Sequence, residues 1–259
     1  MKLPYIIIFD IDNTIIGDIN YPWCEYATLN KINIIYNTSY KFDFVNVLNE
    51  GLLRPYVNEF VDFMKKKYKN VEIFVYTNSK FDWVHNGLME NLEKVCKFKI
   101  NKPYITYNDS LNGEKLLSNA FDIIIKELLI KYPALKNPNN IKQVFDNRLI
   151  FIDDIPNNLS DYPKKQIVCP IYNYTPIYDI YEKLVYTIKI DPDVFNNKEI
   201  LELFDDYGMN IYNNNGSIYQ QNKKLQELNY SCKCRYYELL NNTAKKDTFF
   251  LDLIKILDK

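Results

Sequence analysis

Short apolar runs punctuate the chain, and stretches of helical periodicity separate them. Residues 5–10 run without a polar interruption into an acid, the pattern of a central strand buried on both faces. "NVEIFVYTNS" (70–79) reads as a second buried strand and ends in small polar residues. "RLIFIDDIPNN" (148–158) reads as a third, ending in acids, and "QIVCPIY" (166–172) as a fourth. Between them, "RPYVNEFVDFMKKKY" (54–68) spaces Val57, Phe60, Val61 and Met64 at helical intervals behind Pro55. "KFDWVHNGLMENLEKVCKF" (80–98) predicts another helix, and "NAFDIIIKELLIKY" (119–132) a strongly amphipathic one. "INKPYITYND" (100–109) reads as a strand or hairpin arm weakened by Pro103.

Two regions are less regular. Residues 18–50 mix short aromatic and β-branched pieces and predict no long element, so no compact helical cap is expected between 15 and 73. Beyond about residue 175 the pattern is helical, with a tyrosine- and asparagine-rich connector at 206–219. In the final "DTFFLDLIKILDK", Phe250, Leu253, Ile254 and Leu257 share a helical face, which is expected to pack on the preceding structure.

Strands alternating with helices predict a parallel α/β sheet, in which reacting groups gather beyond the carboxyl ends of the strands. Here three strands end in Asp10 and Asp12, in Thr77-Asn78-Ser79, and in Asp153 and Asp154. Residues i and i+2 of a strand point the same way. Two carboxylates that close repel, and burying either is costly unless something positive lies between them. The pattern therefore asks for a cation, a phosphate-binding cluster, or both.

Composition narrows the field. Lysine plus arginine (32) nearly balance aspartate plus glutamate (33), so no global field points to nucleic acid or to a membrane. No apolar run approaches a membrane span, and "MKLPYIIIFD" lacks the long apolar stretch and cleavage site of a signal peptide. The five cysteines are odd in number and scattered, which fits a reducing compartment, cytoplasmic or nuclear. Cys232 and Cys234 form a lone C-x-C, a poor zinc site, and the single histidine, His85, nearly excludes chemistry that needs a histidine base. Abundant Asn, Ile, Lys and Tyr reflect A/T-rich codons, as in some parasites and large DNA viruses, and say nothing about activity.

D-x-D-x-T alone is a weak motif. Together with the other two strand ends, "FDIDNT", "IFVYTNS" and "LIFIDDIP" resemble the haloacid dehalogenase superfamily of aspartate-dependent phosphotransferases. "LLRPYVNEFVDFMKKKYKNVEIFVYTNS", "EKLLS" and "DDIPNN" further resemble its small-CTD-phosphatase and NLI-interacting-factor branch, over about residues 5–185. The resemblance implies a Rossmann-like parallel sheet flanked by helices, forming a catalytic domain over 1–185. It has a short helical insertion at about 116–145, and 186–259 form a helical C-terminal extension. It also implies roles. Asp10 is the nucleophile, Asp12 the general acid and base, Thr77 a phosphate-holding residue, and Lys115 the neutralising cation. Mg²⁺ is held by Asp10, the carbonyl of Asp12 and Asp153, while Asp154 either joins them as a metal ligand through water or only orients Lys115. A long stretch separates Lys115 from the acidic strand, so Lys126 and Lys142 are the alternatives for its role.

The resemblance implies a phosphatase for phosphoserine or phosphothreonine in proteins, with a phosphorylated protein or peptide as partner. An uncapped, open site also favours a macromolecular substrate. A phosphatase for a small molecule, nucleotide or nucleic-acid end is the alternative, and a non-catalytic binding protein on the same fold is the third.

Overall fold

In the computed structural model, which describes residues 3–79, 81–110, 114–206 and 233–259, the run Tyr5–Phe9 is a strand (β1) buried along its whole length. Val71–Val75 (β2), Leu149–Asp153 (β3) and Gln166–Val168 (β4) complete a sheet of order β2-β1-β3-β4, parallel throughout. Register places Phe9 opposite Val75 and Ile152, so β1 to β3 end at one level.

The period of two divides the strand residues between two cores. Tyr5, Ile7, Phe9, Ile73, Val75, Ile150 and Ile152 face one side; Ile6, Ile8, Phe74, Leu149 and Phe151 face the other. This is why the runs are unbroken rather than alternating: helices cover both faces.

The longer helices among the described residues, in chain order, are α1 (Asn20–Tyr36), α2 (Val57–Lys67), α3 (Met89–Val95), α4 (Leu117–Lys131), α5 (Pro138–Asn147), α6 (Lys198–Asp206), α7 (233–244) and α8 (Phe249–Leu257). Short 3₁₀ and π turns join several of them. On the first face α2 buries Val57, Phe60, Val61 and Met64, as its periodicity predicts, and α8 inserts Phe250 and Leu253 beside them. The Phe250 ring stands 5.3 Å from Phe60 and 6.2 Å from Phe9, so the last described helix reaches the central strand. On the second face α4 and α5 supply Leu117, Ala120, Ile124, Leu128, Val144 and Phe145.

Two expectations are corrected. Residues 18–50, read as lacking a long element, contain the 17-residue α1. Its buried side includes Glu25 and Thr28 among Cys24, Leu29 and Ile32, while Ile34 and Tyr36 are exposed, so no clean apolar stripe marks it. Glu25 tolerates burial because Lys183 Nζ donates to it at 2.8 Å. With Ile180, Leu184, Ile190, Phe195 and Ile200, α1 builds a third core, so the stretch between the first two strands does hold a substantial helical unit. Residues 100–109 are not a strand. Asn101 N and Ile105 N donate to Ile73 O and Val75 O, and Thr77 N to Ile105 O, which joins this segment to the edge of β2 without a regular ladder around Pro103. The helix expected over 80–98 does form: it runs unbroken from Phe81 through a π-bulge at Val84–Leu88 into α3. The 206–219 connector and Cys232 lie outside the described residues, apart from Asp206 at the end of α6.

Candidate active site

Because the strands are parallel, the residues following β1, β2 and β3 meet at one edge of the sheet. Asp10 N donates to Ile152 O at 2.9 Å and so locks the end of β1 to β3. The chain then turns sharply. Asn13 takes a left-handed conformation (φ 59°), which asparagine tolerates better than most residues, and the amides of Thr14, Ile15 and Ile16 converge on Ile11 O. The turn carries Thr14 back over Asp10. Gly17 follows it against the 172–174 segment, where a Cβ would lie 2.1 Å from Tyr174 O, so only glycine fits.

Asp10, Lys115 and Asp153 form the buried centre, each at most 5% exposed. Lys115 Nζ donates to Asp10 Oδ1 at 2.5 Å and to Asp153 Oδ2 at 2.8 Å. The other Asp10 oxygen accepts from Thr14 Oγ1 at 3.0 Å. Asp153 also accepts from Asn158 Nδ2 (2.8 Å) and the Ile155 amide (2.7 Å). Asp154 N donates to Thr14 Oγ1 at 3.1 Å, and Asp154 Oδ1 lies 3.2 Å from the same hydroxyl. Of the three lysines weighed from the sequence, Lys115 alone enters this centre; Lys126 and Lys142 are exposed on α4 and α5.

Asp12 faces the other way. Its Oδ2 accepts from Ser79 Oγ at 2.6 Å and from Thr77 Oγ1 at 3.3 Å, while its buried Oδ1 has no partner among the described residues. Thr77 is fully buried and its Oγ1 accepts from the Ser79 amide at 3.1 Å. The two acids of the first motif are thus handled separately: Asp10 is held by a cation, Asp12 by hydroxyls.

The electrostatics follow from this crowding. Burial, then Asp153 and Asp12, push the Asp10 carboxyl up to about 7 against the opposing pull of Lys115. Burial also raises Asp12, with Asp154 adding to it and the Ser79 and Thr77 hydrogen bonds opposing. Asp154 is raised by burial and by Asp153. Burial alone would lower Lys115, but Asp10 and Asp153 outweigh it and hold its ammonium charged. The three carboxyls are thus raised chiefly by burial, with neighbouring acids adding to it, and the lysine by the acids it touches.

A pH dependence follows. A carboxyl whose folded-state pKa exceeds its unfolded value binds more protons when folded, so stability falls as pH rises between the two. For Asp10 that window runs from 3.8 to about 7. With a chelator present, the unfolding free energy from urea titrations is expected to fall from pH 5 to pH 7, Asp10 contributing at most about 1.4 kcal/mol per pH unit. A flat profile over that range would refute the assignment.

The same excess of negative charge suits a divalent cation. Asp10, Asp153 and Asp154 each offer an oxygen, all within 4.8 Å of one another. An all-carboxylate set of this kind fits a hard cation of the magnesium or calcium class rather than one preferring nitrogen or sulfur. The Asp12 side chain stands outside this group, which leaves its carbonyl as the ligand that the resemblance implies.

The sequence pattern of the family described as "NLI interacting factor-like phosphatase" matches residues 5–185. The chain belongs to that family. It is therefore a haloacid dehalogenase-type phosphatase, a phosphoric monoester hydrolase. Among solved structures it is similar to that titled "The Structure of Fcp1, an essential RNA polymerase II CTD phosphatase". The identity is 14% and the TM-score 0.37, over 94% of this chain and 66% of that one. No curated protein matches it.

For this phosphatase the structure adds four residues that had no role assigned from the sequence: Thr14, Ser79, Asn158 and Arg54. All four lie inside motifs that carry the resemblance ("FDIDNT", "IFVYTNS", "DDIPNN" and "LLRPYVNEF"), so a signal existed, but a short polar residue in a turn or a lone arginine is too common to select by type. Arg54 is fully buried and donates from Nη1 to Thr14 O at 3.1 Å. Beside Asp12 opens a cavity of about 500 Å³, walled by Gly17, Asn20, Ile171, Tyr236 and Tyr237 among others. No helix among the described residues is long and apolar enough to cross a membrane.

Proposed function

We propose that this phosphatase hydrolyses phosphoserine or phosphothreonine in protein segments, through an aspartyl-phosphate on Asp10 and with Mg²⁺ as cofactor. The observation that carries the reading is the separation of the two acids of one strand end. Asp10 is anchored by Lys115 and Thr14, and Asp12 stands apart, raised toward its protonated form. Asp10 attacks phosphorus while Asp12 gives its proton to the departing serine or threonine oxygen. Asp12, now ionised, takes a proton from water, whose oxygen attacks the phosphorus of the acyl phosphate. The Asp10–phosphorus bond breaks, phosphate leaves, and both carboxyls return to their starting states.

Lys115 opposes the upward push of burial on Asp10, favouring its ionised form, and stabilises charge on the phosphoryl oxygens, and Thr77 holds Asp12 in register. Mg²⁺, held by Asp10, Asp153, Asp154 and the Asp12 carbonyl, would neutralise the repulsion between carboxylate and phosphate.

The rim supports a polypeptide substrate. Ile155 follows Asp154, and Tyr107 N donates to Ser79 O. Ile171 and Tyr236 wall the cavity beside Asp12, and all four side chains are at least half exposed. Apolar groups left in water around a polar centre suit an extended protein segment better than a small hydrophilic metabolite. The buried free thiols of Cys24, Cys96 and Cys169 support an intracellular, reducing setting.

Hydrolysis of p-nitrophenyl phosphate is expected with millimolar Mg²⁺ and is expected to vanish with chelator. Phosphoserine peptides are then expected to exceed nucleoside monophosphates in kcat/KM by about tenfold or more. Preference for the nucleotides would overturn the substrate assignment, and metal-independent turnover would overturn the mechanism.

A further inference from the structure

We propose that Asp247, outside the residues matched to the family, is a positioning residue for the nucleophile, acting through Arg54 and Thr14. Arg54 Nε and Nη2 donate to the two oxygens of Asp247 at 3.0 and 2.9 Å, a bidentate pair whose guanidinium is wholly buried. The remaining terminal nitrogen, Nη1, donates to Thr14 O at 3.1 Å, and the Arg54 amide donates to Ile15 O at 2.9 Å. Thr14 Oγ1 in turn donates to Asp10 Oδ2 and accepts from the Asp154 amide. An unbroken path of charged and neutral hydrogen bonds therefore runs from the C-terminal segment to the nucleophile.

The far end of this path is itself fixed. Phe249 N donates to Asp247 Oδ1 at 3.1 Å at the start of α8, and Phe250 and Leu253 pin that helix to the core. The Phe249 ring lies 4.8 Å from the guanidinium, with Tyr172 at 5.5 Å and Phe250 at 5.8 Å. Arginine in such a slot has a defined plane, and Asp247 determines its direction. Without Asp247 the buried cation has donors unmet and nothing fixes the direction of its plane. Thr14 then loses its restraint, and with it Asp10 loses the hydrogen bond that orients its second oxygen.

A purely structural ion pair would cost stability on removal but leave turnover per folded molecule unchanged. The test separates the two. In Asp247→Asn, kcat is expected to fall about 10- to 100-fold with KM within about twofold, as for a misplaced reacting group. The amide resonances of Thr14 and Asp154 are expected to shift while those of α4 stay put. Asp247→Glu is expected to recover part of kcat. The apolar pair Arg54→Met with Asp247→Leu removes both charges, so it is expected to fold even where the single variant does not. Its kcat should remain low, because Thr14 O still has no donor.

Unmoved Thr14 and Asp154 resonances in the folded variants, or wild-type kcat in the apolar pair, would overturn the proposal. The kinetic arm rests on the phosphatase reading, but the spectroscopic arm does not. If wild type shows no turnover, the proposed reaction fails, and the resonances alone still decide the role of Asp247.

Discussion

Asp10→Asn is expected to lower turnover of any phosphomonoester by at least about 1,000-fold while leaving the fold intact. The amide keeps the shape of the side chain and one oxygen, which can still accept from Lys115 or Thr14, but it is a very poor nucleophile toward phosphorus. The structural cost is small for a reason specific to this cluster. Wild-type Asp10 is crowded by Asp12 and Asp153 and burial holds it near neutrality, so removing its charge relieves repulsion as well as losing an ion pair. The metal-free variant is therefore expected to match or exceed wild type in urea midpoint at pH 8, where the wild-type carboxyl is ionised. Single-turnover assays with phosphopeptide, alongside denaturation in chelator, measure both effects. Residual turnover within tenfold of wild type would show that another group attacks phosphorus.

The sheet and its acids are legible in the sequence for the same reason. Central parallel strands are buried on both faces, so β1 and β3 appear as unbroken apolar runs, and a polar residue placed just after such a run stands out. Asp10, Asp12, Thr77, Asp153 and Asp154 are all recognised that way. α1 is not, because its buried side interrupts Cys24, Leu29 and Ile32 with Thr28 and with Glu25, which reads as surface until its partner Lys183 is known. Lys115 emerges from the motif around it, whereas charge alone could not separate it from Lys126 and Lys142. Arg54 and Asp247 stand 193 positions apart, and neither has a local pattern that predicts the other. What one-dimensional reading loses is polar burial, since a buried charge is explained only by its partner in space.

Lys115→Met is the substitution expected to cost the most stability. The methionine replaces the stem of the side chain with similar volume, so packing against Phe151 and the neighbouring chain is largely kept and the effect is electrostatic. Lys115 is the only cation bonded to Asp10 and Asp153 among the described residues, and both carboxylates are buried. Removing one partner of such a group typically costs about 3–5 kcal/mol, because the charges left behind have neither water nor a counter-ion. The carboxyls have one escape, which is to take up protons, so the deficit is expected to shrink at pH 5 and to be largest at pH 8. A divalent cation offers a second remedy. It would sit among the same oxygens of Asp10, Asp153 and Asp154, and millimolar Mg²⁺ is expected to raise the urea midpoint of the variant more than that of wild type. Turnover is not expected to return with stability, because the metal cannot also supply the ammonium that neutralises the phosphoryl oxygens; a loss of about 100-fold or more should persist at saturating Mg²⁺. Equal stability of variant and wild type in chelator at pH 8 would mean that the buried acids are already neutral, and that Lys115 does not hold the site together.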